Sequence, residues 1–216
     1  MYEEASAPGA RGTSSMTVDE EEGRGAGWNA SDWLRIADDL LGGHVSGDYP
    51  DLTWAKALRT AAAGLTETGC HERAVEVSDA LFERFQCSAD PSVRRAVIIG
   101  LHNKAIAMDR LGRDEEALGV HAAMTRRFGA EVVAAFDELI GECDRVGGDR
   151  APEELATNLY SKAWALRDLG KPDEELAVLA DLIGRFADNP DPSIQGVVAD
   201  AREEHAKLSE ARGGSP

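Results

Sequence analysis

The feature that most constrains this chain is a recurring interval. A phenylalanine stands sixteen residues after a glycine three times: Gly69 to Phe85, Gly112 to Phe128 and Gly170 to Phe186. Before each glycine runs an apolar pattern of helical period, in AKALRTAAAGLTET, IGLHNKAIAMDRL and ATNLYSKAWALRDL. After it, four polar or turn-prone residues lead into a second helical pattern. A glycine at that point takes the left-handed conformation that ends one helix, and the acids beyond it suit the positive end of the next. Arg126, Arg127 and Arg185 suit the negative far ends. Small residues keep the same register. Ala62, Ala105 and Ala163 lie seven before each glycine, and Ala74 and Ala117 five after, where two helices must cross closely. Glu175 takes the third unit's place in that last column, so its helix is expected to rotate or to let Leu176 make the contact.

The interval also exposes an interruption. Gly69 and Gly112 are 43 residues apart and Gly112 and Gly170 are 58, an excess of fifteen. That is about one helix, and AEVVAAFDELIGECDRV, residues 130–146, supplies it, with Val132, Val133, Phe136, Leu139 and Ile140 on one face. The stretch DPSIQGVVADAREEHAKL opens with the Asp-Pro-Ser that also starts the second unit at Asp90, and reads as a terminal capping helix. Upstream, Ser31 is placed to cap a short helix carrying Trp33, Leu34, Ile36, Leu40 and Leu41 and stopped by Gly42 and Gly43. No run of alternating β-branched residues appears, so the expected fold is all-α. Residues 1–28 hold almost no large apolar side chains and read as a disordered acidic tail, residues 29–210 as one repeat domain, and 211–216 as a flexible end.

Charge narrows the partners. Forty acidic against 23 basic side chains give a net charge of −17, which opposes nucleic acid and anionic membranes and favours a basic or neutral partner. No window holds eighteen uninterrupted apolar residues, and MYEEASAPGARGTSSM has no apolar run of a secretory signal. Cys70 and Cys87 bracket one helix, roughly 25 Å apart against a disulfide's limit of about 7 Å, so they cannot pair, and a reducing, cytoplasmic setting is expected.

HNKAIAMDRLGRDEEAL and YSKAWALRDLGKPDEEL resemble tetratricopeptide repeats, and most closely the longer bacterial repeats of about forty residues, whose first helices often carry a step such as Asn103-Lys104-Ala105. The resemblance spans residues 51–187 and is strongest over Leu101–Phe128. Where the family usually has a large aromatic in the second helix this chain has Ser78, His121 and Leu179, and at the early tryptophan position Leu58, Leu101 and Leu159. The resemblance implies a right-handed α-solenoid of helical hairpins whose first helices line a concave groove for a protein or peptide, without catalysis.

In that register the groove face offers Lys56, Arg59 and Thr66, then His102, Asn103 and Asp109, then Tyr160, Trp164 and Arg167. The cations suit a carboxylate or a chain terminus, and Tyr160 and Trp164, four apart, form an aromatic shelf. The same aromatics equally suit packing against the capping helix, with the cations neutralising nearby acids. His44, His71, His102, His121 and His205 show no zinc spacing, and no phosphate loop or catalytic motif appears, so neither metal nor cofactor is expected. Trp28 and Trp33 are candidates for self-association or for a cover from the same chain. The competing expectation is a ligand-sensing or enzymatic domain with a cleft between helix 130–146 and the third unit, near Cys143 and Tyr160.

Overall fold

The computed structural model describes residues 28–43, 50–148 and 151–213, so nearly all of the expected tail lies outside the described residues. Every regular element among them is a helix: α1 Ala30–Leu41, α2 Asp51–Glu67, α3 His71–Phe85, α4 Pro91–Arg110, α5 Asp114–Phe128, α6 Ala130–Val146, α7 Ala151–Asp168, α8 Pro172–Phe186 and α9 Pro192–Gly213. Each packs against the next in chain order. The inserted helix has the expected bounds, and residues 211–213 belong to α9.

The repeated interval is a repeated local structure. Gly69, Gly112 and Gly170 have φ of +81°, +70° and +68°, a conformation open to glycine at little cost. At each, two backbone bonds close the preceding helix. The glycine N–H donates to the carbonyl three residues back (Thr66, Asp109, Arg167), and the next N–H, of Cys70, Arg113 or Lys171, reaches the carbonyl five back (Leu65, Met108, Leu166) at 2.8–2.9 Å. A single residue then separates glycine from the following helix. The expected four-residue turn is thus shorter, because the acids that follow already form the first helical turn. The N-terminal cap of α1 is Asn29 rather than Ser31: the Asn29 carboxamide accepts from the N–H groups of Ser31 and Asp32, and Asp32 answers on the Asn29 N–H. Asp90 and Asp191, from the shared Asp-Pro-Ser, cap α4 and α9 by accepting from Ser92 and Ser193.

Packing follows the small-residue columns. Ala62, Ala105 and Ala163 are buried, as are Ala74 and Ala117, and Phe85, Phe128 and Phe186 close the hairpins from inside. Glu175 keeps its column. It is 2% exposed, and the helix has neither rotated nor substituted Leu176. The Arg167 guanidinium makes this tolerable by bonding Glu175 at 2.6–2.8 Å while also holding Glu204 of α9 at 2.6 Å. At the amino end α1 lies on α2, with the Trp33 ring filling the space where Gly64 lacks a Cβ. Trp33 is therefore a cover from the same chain, and Trp28 rests on it at 4.9 Å, 47% exposed.

The buried apolar residues form two clusters. One runs from α1 to α6, taking Val132, Ala135 and Phe136 from the latter and Ala165 from α7; the other joins Cys143 to α7, α8 and α9. Between them the repetition breaks. The backbones of α2 and α4 pack side by side, whereas those of α4 and α7 do not, and these two helices meet through side chains such as His102 with Asn158 and Arg110 with Glu153.

Candidate functional site

Part of the face of α4 that the repeat register assigns to a groove, from Arg94 to His102, meets α6. His102, expected on that groove, is instead 2% exposed in the interior, with the Phe136 ring of α6 edge-on at 5.0 Å and the His121 ring of α5 at 5.6 Å. Ion pairs from Arg94 to Glu131 at 2.9 Å and from Arg95 to Glu138 at 2.7 Å fasten α6 along α4. A shallow open pocket of about 260 Å3 remains between the starts of these helices, lined by Pro91, Arg94, Arg95, Ile98, Glu131 and Ala134, with both arginines engaged by the ion pairs.

A buried polar seam crosses this junction. His102 Nε2 and Asn158 Oδ1 of α7 are 3.0 Å apart; since the amide oxygen only accepts, the imidazole carries its proton on Nε2, leaving Nδ1 an acceptor with no partner. The Asn158 amide donates to Cys143 Sγ of α6 at 3.7 Å, and the thiol in turn points at Glu154 Oε2 at 3.9 Å. Burial first, then the neighbouring His121, pushes His102 down to about 3, against a smaller opposing pull from Asn158. Burial alone brings His121 to about 4. Both rings are therefore neutral at pH 7, and the seam is a joint between α4, α6 and α7. Asn158 carries no motif that would have singled it out. In the repeat register it occupies the column of Ala57 and Gly100, and only the inserted helix turns that column into a meeting point.

The other groove candidates separate into two groups. Lys56 and Arg59 on α2 and Asn103 on α4 are half-buried, Asp109 is exposed, and Thr66 is half-buried and donates to the Ala62 carbonyl at 2.9 Å. Tyr160, Trp164 and Arg167 share one face of α7: the two rings meet at 5.8 Å and Arg167 lies 6.0 Å over Trp164. This face is turned to α9, since Asp200 and Glu204 act on Tyr160, whose phenol burial pushes up. Arg167 is committed to Glu175 and Glu204. Cys143 and Tyr160 belong to the same apolar cluster but lie toward different sides of α7. Cys143 is 7% exposed and meets α7 at Glu154 and Asn158, whereas Tyr160, two residues on from Asn158, is rotated about 200° around the helix. Among the described residues, no three or more His, Cys, Asp or Glu lie together in a way that would hold a metal ion, and no helix is long and apolar enough to cross a membrane.

Comparison with protein-family models, with curated proteins and with solved structures gives no match.

Proposed function

We propose that this chain is a non-enzymatic adaptor, a right-handed α-solenoid of tetratricopeptide-like hairpins that docks a protein or peptide partner. The reading is carried by one observation: three hairpins share the same glycine closure, the same buried alanine seven residues before it and the same buried terminal phenylalanine. Stacked hairpins of this kind present extended polar surfaces of fixed geometry, which suits recognition of another chain. The docking surface in this reading is the set of Lys56, Arg59, Asn103 and Asp109 on α2 and α4, which unlike His102 keep part of their surface exposed. Tyr160, Trp164 and Arg167 belong to the intramolecular contact with α9.

The test is affinity capture from the native lysate with wild-type protein and with a Lys56→Glu, Arg59→Glu, Asn103→Ala triple variant of matching helix content. The expected outcome is a partner retained by the first and lost by the second. Recovery of the same partner by both would refute the assignment.

A further inference from the structure

We propose that the outward face of α5 joins two copies of this chain, laid antiparallel about a two-fold axis at Gly119 and Ala122. It uses none of the side chains of the surface proposed above, and either can fail alone.

Ala117, Met124 and Phe128 turn one side of α5 into the molecule, and all three are buried. At 100° per residue, Glu115, Leu118, Gly119, Ala122, Ala123 and Arg126 fall within an arc of about 140° on the opposite side. Leu118 is 43% exposed, one of two large apolar side chains left open among the described residues. Ala123 is exposed and Ala122 half-buried. A Cβ at Gly119 would meet nothing within 4 Å, so the backbone there is bare. The middle of this face carries no charge. Its charges stand at the two ends, Glu115 one turn before Gly119 and Arg126 one turn after Ala122. Both are exposed, and among the described residues neither makes an ion pair, whereas Arg94, Arg110, Arg113, Arg167 and Arg185 all hold carboxylates.

The matching columns of the other two hairpins differ. Where α5 has Glu115, Gly119, Ala122 and Arg126, α3 has Glu72, Glu76, Asp79 and Glu83, a face that repels its own copy. In α8 the residues are Asp173, Ala177, Ala180 and Gly184, with the acid but without the cation. Of the three, α5 alone is complementary to itself. Reversing one α5 against another brings position 115 opposite 126 and 119 opposite 122, so each Glu115 meets the other copy's Arg126, and symmetry makes the contact twice. Glycine and alanine at the crossing let the two backbones approach to about 8 Å. Leu118 of each copy then lies over Ala122 of the other. The net charge of −17 on each copy opposes association at long range, but in about 0.15 M salt it is screened beyond about 8 Å. One helix pair buries less than the roughly 1,200 Å2 of a stable complex, so the dimer is weak, with a dissociation constant on the order of 100 μM.

The test is sedimentation equilibrium of the full chain in about 0.15 M salt, from about 10 μM to about 1 mM, where wild type should pass from monomer to dimer. Glu115→Arg or Arg126→Glu alone sets like charges against each other at both ends, and each should weaken association by at least about ten-fold. An equimolar mixture of these two single variants should restore it, since an all-basic pair of ends then meets an all-acidic one. Gly119→Leu, which has room in the monomer, should abolish dimerisation. Ala177→Leu, at the matching exposed place on α8, should leave it unchanged. All variants should keep wild-type helix content by circular dichroism. A wild type that stays monomeric at the highest concentration, a mixture that associates no better than either variant alone, or association untouched by Gly119→Leu would each overturn the proposal.

Discussion

Lowering the pH from 7 to 5 should cost this protein between about 2 and 4 kcal/mol of folding stability. The source is the pair of imidazoles at the α4–α5–α6 junction. An ordinary histidine titrates near 6.5, while His102 is held to about 3 and His121 to about 4. The unfolded chain therefore takes up two protons through pH 6.5 that the folded chain refuses until well below pH 5. Stability conferred by the neutral rings is present above pH 6.5 and drains away as the pH falls toward 4 and 3. Over the interval from 7 to 5 each group contributes about 2 kcal/mol. His121 is only half-buried and supplies the smaller share. Among the described residues no carboxylate touches His102 to offset the charge of a protonated ring: around it lie the His121 ring, the Phe136 edge and the Asn158 amide, with Cys143 and Glu154 further along the seam. Urea unfolding followed by circular dichroism at pH 7, 6 and 5 measures the loss, and His102→Gln with His121→Gln should flatten it. Imidazole proton resonances in NMR give a reading that needs no variant, with two histidines failing to titrate above about pH 4.5. Equal pH dependence in wild type and double variant, or five histidines all titrating near 6.5, would refute the reasoning.

Arg167→Ala should destabilise by about 3–5 kcal/mol, because it strands the Glu175 carboxylate at 2% exposure. Glu175→Ala should cost clearly less, since Arg167 keeps Glu204 and alanine is what the other two units have there; urea titration giving the reverse order would count against the buried pair. Gly64→Ala would drive a Cβ into the Trp33 ring, so α1 should lift, with a cost of about 1–3 kcal/mol and a red shift in tryptophan emission. At Gly112 a Cβ meets nothing within 4 Å but φ is +70°, so Gly112→Ala should cost about 1–2 kcal/mol through backbone strain alone, with emission unchanged. Cys87, exposed, should react with a thiol reagent at once, and Cys143 only at the rate of unfolding.

The hairpins were legible because their signals are local. A glycine that must take positive φ, a helix-start acid and an alanine at a crossing each act within a few residues of their own position. The inserted helix was visible for the same reason, as fifteen surplus residues with one apolar face. Its placement was not visible. Whether α6 continues the row of first helices or lies across it depends on contacts between distant segments, such as Arg94 to Glu131 and Phe136 to His102. That placement decides why His102 is buried and how Asn158 comes to bond it. Glu175 is the converse case: the register places it in the column of Ala74 and Ala117, but the expected rotation or substitution by Leu176 does not occur, because Arg167, which the register assigns to the groove, instead pairs with the buried acid.

Because α6 gives Val132, Ala135 and Phe136 to one apolar cluster and Cys143 to the other, and α7 gives Ala165 to the first and Leu155, Ala156, Leu159 and Ala163 to the second, the two halves of the interior are stitched by continuous backbone as well as by surface contact.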